Sequence, residues 1–305
     1  MKTRAAYWNI VLNFGLLVIA ACGCNPLNKT SDASITQTLI ADTLTVTPRV
    51  ILAAPITITP HQAITPVARV TSLPTLSVDQ KSAFVKDLFQ TNGGCRLPCW
   101  WGITPGATSW NTAMGFLDTF AWKISLVGSD ADPPQVAYAS FKVSDDKGVI
   151  TVQHIYTGRN GVIETIEIGP EYDASAYHLD ALLSSYGPPD EVWIRTYSHE
   201  EQNSLPFGIA LFYSQQGILA EYYTAGYVKE NLVQGCPHRG MSIFLYLWNP
   251  RQSITFSEAT RKFMRAEDRS FLPLSEATEM DVETFYRTFK VPDTSCLETS
   301  AELWP

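Results

Sequence analysis

Apolar positions after Ser77 change period several times, and each change marks a predicted element. Val78, Phe84, Val85, Leu88 and Phe89 fall on one side of a helix that Ser77 can cap and that ends near Gln90, where Thr91-Asn92-Gly93-Gly94 stops it. Trp110, Ala113, Leu117 and Phe120 recur at three-four-three spacing behind Thr108 or Ser109, which predicts a second helix with a core-facing stripe. The period then shortens to two. Runs over 136–143, 149–156 and 162–168 predict three strands, separated by the hairpin signals Asp145-Asp146-Lys147-Gly148 and Arg159-Asn160-Gly161. Val149, Thr151 and Gln153 alternate with Ile150, Val152 and His154, so the sheet should bury one face and leave the other mixed.

A similar outline follows. Tyr172, Ala176, Leu179, Leu183 and Tyr186 form a helical stripe that Gly187-Pro188-Pro189-Asp190 ends. Strands are predicted over 191–197, 208–214 and 218–224, the last two joined by Gln215-Gln216-Gly217, with a further strand over 241–248. Thr255 or Ser257 can start a helix running to about Met264. Ser275 can cap another that contains Met280, Glu283 and Thr284, with Phe285 and Phe289 in the core. The expected fold is α+β: two helix-plus-antiparallel-meander repeats, over 77–170 and 171–305, with C-terminal helices in the second.

The chain before this body reads differently. Lys2 and Arg4 precede a mostly apolar run over 5–21 that Asn9 and Asn13 interrupt, the arrangement of an export signal over 1–21. The run is shorter than the ~20 residues a comfortable membrane-spanning helix needs, although an uncleaved anchor remains open. Ile19-Ala20-Ala21-Cys22 resembles the lipobox of bacterial lipoproteins. That resemblance implies cleavage before Cys22 and lipid attachment to it, hence an exported protein anchored to the cell membrane with its folded part extracytoplasmic. Cys24 fits less well, because Cys22-Gly23 before it departs from the small-apolar pattern. Residues 22–76 are rich in Thr, Ser and Pro, with Pro26, Pro48, Pro55, Pro60, Pro66 and Pro74 spread through them, and read as a disordered stalk. Fully extended at ~3.1 Å per residue, such a stalk reaches on the order of 100 Å.

Candidate chemistry is sparse. Cys95 and Cys99 flank Arg96-Leu97-Pro98, and Trp100-Trp101-Gly102-Ile103-Thr104-Pro105-Gly106 follows. An oxidising compartment favours disulfides, and C-x₃-C departs from the usual zinc spacing. Proximity in sequence favours Cys95 with Cys99, leaving Cys236 with Cys296; sequence alone leaves the crossed pairings open. One of Trp100 and Trp101 is expected beneath the Pro-Gly turn and the other nearer the surface. Cys236-Pro237-His238 lacks an evident third metal ligand, and His199-Glu200-Glu201 lacks the second histidine of a zinc motif. His154 has no catalytic partner at a recognisable spacing and reads as structural. Glu164, Glu167, Asp190 and Glu191 are the carboxylates that strand placement can bring together. No G-x-S-x-G, H-E-x-x-H, P-loop or dinucleotide pattern is present, so no cofactor is expected and an enzyme is the less favoured class. A net charge of −8 without a local Lys/Arg cluster argues against nucleic acid as a partner.

Gly102-Ile103-Thr104-Pro105-Gly106-Ala107-Thr108 leading into a helix, and the later Leu182-x₃-Tyr186-Gly187-Pro188-Pro189-Asp190-Glu191-Val192, resemble the repeat shared by BamE-type outer-membrane assembly lipoproteins and β-lactamase inhibitor protein. The resemblance spans about 96–225. It implies helices packed on an antiparallel sheet and a role in binding other proteins. The second half departs from it in lacking one helix of the hairpin, and the long stalk is a further departure. The Cys95–Gly106 string is more similar to uncharacterised bacterial lipoproteins, which implies location without activity. The expected function is a lipid-anchored binding or scaffold module for protein or envelope components. The alternative is a small-molecule capture protein or hydrolase with a site between the two halves.

Overall fold

Ser77 opens the first described helix by a reciprocal cap. Its hydroxyl accepts from the Gln80 amide at 3.3 Å, while the Gln80 side chain accepts from the Ser77 amide at 2.9 Å. The helix it opens is α1 (Val78–Thr91). The computed structural model describes residues 76–305, apart from 130–131, 146–147, 172–173, 198–204, 238–240, 265–270 and 293–294. The expected signal peptide, Cys22 and the stalk up to residue 75 lie outside the described residues, as do His199-Glu200-Glu201 and His238.

After α1 come α2 (Trp110–Asp118) and the strands β1 (Lys123–Ser129), β2 (Asp132–Asp145), β3 (Gly148–Arg159) and β4 (Val162–Glu171). These form an antiparallel meander of four strands where three were expected. β1 escapes the alternation rule because it is an outer strand: adjacent Leu126 and Val127 are both exposed, so no buried face imposes a period of two. A 3₁₀ turn (Ser175–Tyr177) and α3 (Leu179–Tyr186) follow, replacing the single expected helix, because His178 between them is extended. Next come β5 (Glu191–Arg195), β6 (Leu205–Tyr213), β7 (Ile218–Lys229), β8 (Leu232–Gly235) and β9 (Ser242–Trp248). The C-terminal part contains α4 (Phe256–Ala259), which continues as a π-helical turn (Thr260–Met264), then β10 (Leu272–Pro273), α5 (Leu274–Ala277), α6 (Val282–Phe289) and β11 (Leu297–Ser300). The helix expected from Ser275 is thus two. Thr278 is extended, and Asp281 caps α6 by accepting from the Thr284 amide at 2.7 Å.

All described strands belong to one sheet. Its main order is β1-β2-β3-β4-β9-β7-β6-β5-β10, with β11 joined to β8 and β8 to β7. The two meanders meet at its centre, where β4 pairs antiparallel with β9 from Thr165↔Trp248 onward. Their contact is filled by buried Ile166, Ile168, Leu245 and Leu247. α1 and α2 lie on one face. α1 buries Ser82, Val85, Leu88 and Phe89 there, whereas Val78, expected on that stripe, is exposed. α2 lies so close to the β3–β4 hairpin that a Cβ on Gly158 would collide with the Trp110 ring.

The loop after α1 sets the core. Asn92 adopts the left-handed conformation that ends the helix, and its buried side chain donates to the Cys95 and Cys99 carbonyls at 2.9 and 2.8 Å. The same amide accepts from the Trp101 amide at 2.8 Å. Cys95 and Cys99 are joined by a disulfide within this loop, and Cys236 is joined to Cys296. Trp100 and Ile103 pair across a tight hairpin, in which Trp101 and Gly102 both have positive φ. That turn corrects the expectation for the tryptophans. Neither is near the surface, because left-handed Trp101 folds back so that both rings stack at 5.3 Å inside the core, among Phe89, Phe141, Tyr177 and His154.

Asn92→Asp removes both donated bonds and sets a carboxylate against two carbonyls, whereas Asn92→Gly keeps the backbone conformation and loses only the clamp. Both are expected to lower unfolding stability, Asn92→Asp by on the order of 2–3 kcal/mol and more than Asn92→Gly. Urea denaturation followed by tryptophan fluorescence checks this. An unchanged midpoint in Asn92→Asp contradicts the clamp.

Candidate functional site

Residues paired directly across strands share a face, and one row crosses most of the sheet. From β5 to β1 it reads Glu191, Phe212, Leu219, Tyr246, Glu167, Ile155, Tyr138 and Ser125. This face is the one turned away from α1 and α2. Over β6, β7 and β9 it is covered: Phe256, Ala259, Phe263 and Phe271 pack on Ala210, Phe212, Leu219, Tyr246 and Trp248. Among the described residues the cover ends at Lys262 and Phe263. Beyond them no other described element packs on this face of β2, β3 and β4, and a groove of about 310 Å³ is lined by Val136, Tyr138, Ile155, Thr157, Arg159, Glu164, Thr165, Glu167, Lys262 and Phe263.

A β-bulge places the central charge. Thr157 opposes Thr165 but Gly158 opposes Ile163, so Glu164 is the extra residue on β4 and lies among the groove residues. Its two carboxylate oxygens accept from Arg159 Nε at 3.1 Å and from Lys262 Nζ at 3.2 Å. Burial raises the Glu164 pKa, but the charges and hydrogen bonds of Lys262 and Arg159 outweigh it, and the carboxyl is held below its usual range. Glu164 therefore stays ionised at neutral pH and serves as an acceptor rather than a proton donor. Beside it the Thr157 and Thr165 hydroxyls share a hydrogen bond of 2.5 Å. Two cations, two carboxylates and three hydroxyls, with Val136, Ile155 and Phe263 as apolar walls, suit a partner that offers both hydrogen-bonding and apolar groups.

The other residues singled out from sequence lie elsewhere. Asp190 accepts from the amide and hydroxyl of Ser214, each at 2.7 Å, and Glu191 accepts from Trp193 Nε1 at 2.9 Å, so both tie local structure. Glu164 and Glu167 do share the groove. His154 is fully buried in the aromatic core. Cys236 and Cys296 are in a disulfide beside β8 and β11. Among the described residues no three His, Cys, Asp or Glu side chains gather as metal ligands. Arg159, Lys262, Tyr138, Thr157, Thr165 and Phe263 were not anticipated. The Arg159-Asn160-Gly161 turn located the hairpin, but nothing in the spacing announced the bulge or brought a lysine nearly a hundred residues later beside it.

A second ionisable feature sits under the covered part of the face. Glu221 on β7 is buried and accepts from the Tyr223 hydroxyl. Arg195 on β5 donates to the Tyr197 hydroxyl at 2.9 Å and adds a favourable charge to Glu221. Burial dominates over both and pushes the Glu221 pKa up to about 7.

Comparison with known protein families, with curated proteins and with solved structures finds no match to this chain.

Glu221 gives a pH dependence whose sign follows from its raised value. Below about pH 4.5 folded and unfolded chains are both protonated. Between 4.5 and about 7 the unfolded chain releases its proton first, so stability falls as pH rises, and above 7 the penalty is constant. Glu221→Gln is expected to unfold at higher denaturant than the parent at pH 8, by at most about 3 kcal/mol, with little difference near pH 4. Denaturant titrations at both pH values check this; equal gains at both would show that charge is not the cause.

Proposed function

We propose that this protein is an exported, lipid-anchored module that binds a protein or another envelope component on the open face of β2–β4. The observation that carries the reading is the row from Phe212 to Tyr138: one continuous sheet face, apolar and covered at one end, polar and grooved at the other. Charge supports a fixed recognition surface, because Arg159 and Lys262 hold Glu164 in place before any partner arrives. The lipid anchor rests on Ile19-Ala20-Ala21-Cys22.

The same reading takes the two meanders as copies of one unit, in keeping with the resemblance to BamE-type lipoproteins and β-lactamase inhibitor protein. In its favour, each meander follows a helix, and their final main strands, β4 and β9, pair with one another. Capture of a small molecule is the second reading. It is favoured by the gathering of Glu164, Glu167, Arg159 and Lys262 around one groove to which both halves contribute.

A photoreactive phenylalanine analogue at Tyr138 is expected to give a discrete cross-linked species in whole cells, and the same analogue at exposed Glu276 is not. Lys262→Glu combined with Arg159→Glu should reduce that species several-fold. Cross-linking of equal strength from both positions would sink the assignment to this face, and a small-molecule adduct at Tyr138 would favour the second reading. Separately, Cys22→Ser should abolish metabolic labelling with a radioactive fatty acid. Full labelling of that variant would remove the anchor.

A further inference from the structure

We infer, on the strength of that reading of the open face, that its groove takes a neutral sugar chain, held through hydroxyls and C–H faces. Two rows of side chains make the floor. One is Tyr138, Ile155 and Glu167 and the other Val136, Thr157 and Thr165, each following paired residues across β2, β3 and β4. With neighbouring strands about 4.8 Å apart, the backbones at Tyr138 and Glu167 lie roughly 10 Å from each other. Apolar and hydrogen-bonding groups thus alternate over short distances within a groove of about 310 Å³.

Such alternation matches a sugar ring, which presents hydroxyls around its rim and C–H groups on its faces. The Tyr138 ring and Ile155 suit the C–H faces. Carboxylates accept from sugar hydroxyls, the Arg159 guanidinium and Lys262 ammonium donate to them, and the Thr157 hydroxyl can do either. These groups stay within reach of a ligand, because Glu164 keeps 17% of its side chain exposed, Lys262 37% and Arg159 56%. Their mutual bonds fix them without exhausting them. Of the roughly four acceptor positions on the Glu164 carboxylate, Arg159 and Lys262 occupy two.

Charge selects a neutral ligand. Arg159 and Lys262 balance Glu164 and Glu167 in the lining. Around it, residues 123–168 carry four basic and six acidic side chains, to which Lys262 adds a fifth base, and 265–270 contributes two arginines and two acids. An ionic group of either sign therefore meets repulsion about as much as attraction.

The pairing of the strands argues against a peptide in the same place. β2, β3 and β4 are each paired on both sides, so an extended peptide lying on them finds no free backbone edge for its own amides and carbonyls. A sugar chain needs side chains alone. The same face continues along β2 and β3 as Ser140 beside Gln153, with Thr151 beyond and Ser125 next to Tyr138 on β1, which extends the uncharged hydrogen-bonding track for further rings. Lys142, opposite Thr151, turns its ammonium to the Trp122 ring.

The test uses the full-length protein in phosphatidylcholine vesicles, which display no sugar. Cellohexaose, chitohexaose and maltohexaose are the neutral probes, with the hexamers of galacturonate and of glucosamine as charged controls, each titrated by calorimetry. At least one neutral probe is expected to bind with a dissociation constant at or below about 1 mM, and about tenfold more tightly than either charged hexamer. Tyr138→Ala and Thr157→Val should each weaken that binding about fivefold, while Glu276→Ala, exposed and outside the groove, leaves it unchanged. Unfolding midpoints of the variants separate lost contacts from lost fold. Tighter binding of a charged hexamer, or equal weakening by Glu276→Ala and Tyr138→Ala, overturns the inference. Binding of no neutral probe, when the photoreactive analogue at Tyr138 still captures a protein in cells, overturns it and leaves the binding face standing. Neither capture nor sugar binding overturns both.

Discussion

Much of this fold depends on a single side-chain amide. Asn92 ends α1 in a left-handed conformation and at the same moment binds both carbonyls of the Cys95–Cys99 loop and the amide of Trp101. Each bond satisfies a backbone group outside any helix or strand ladder, the Trp101 amide among them fully buried. With the loop fixed, the positive φ values of Trp101 and Gly102 can be sustained, and two indoles enter the core side by side. Left-handed backbone at a residue as large as tryptophan costs about 1–2 kcal/mol, which the burial of both rings exceeds. The disulfide closes the same loop and limits its freedom when unfolded, but the amide sets its shape.

From that loop the order of events along the chain becomes physical. The stacked tryptophans meet His154 and Phe141, which fixes the helix-facing side of β2 and β3. Because strand faces alternate, the opposite side of the same strands must then present Tyr138, Ile155 and Thr157. The second meander attaches through β9, and its outer face is covered. One sheet thus carries two environments. In one Glu221 is buried to the point of titrating near neutrality, and in the other Glu164 is held ionised by two cations.

Local pattern was enough for most of the helices and strands, since α1, α2 and the strands from β2 to β4 show their period and their stop signals directly. What it missed has a common cause. β1 is an outer strand on which only Ile124 packs against the core while adjacent Leu126 and Val127 are exposed, and the breaks at His178 and Thr278 are backbone choices that the apolar stripes run straight through. The groove was legible only in part. Glu164 and Glu167 stood out as strand carboxylates, but the bulge that displaces Glu164 depends on how β3 and β4 pair, and Lys262 arrives through tertiary folding. Asn92 was visible as a stop signal, while its role as a clamp requires the positions of three backbone groups that only the folded loop brings together.

The open face owes its existence to where the cover stops. α4 runs for a single turn before the backbone widens into the π turn Thr260–Met264. Such widening shifts the direction of successive side chains. Phe263 turns inward, its ring 5.6 Å from Tyr246 and 5.8 Å from Trp248, and seals the covered half. Lys262, its neighbour, turns to Glu164 instead and forms the wall of the groove. A regular helix continued over β4 would take the charged and hydroxyl groups around Glu164 out of water, at a desolvation cost that their mutual pairs only partly offset. Among the described residues, the wide turn at Thr260–Met264 is what separates the sealed half of the face from the groove.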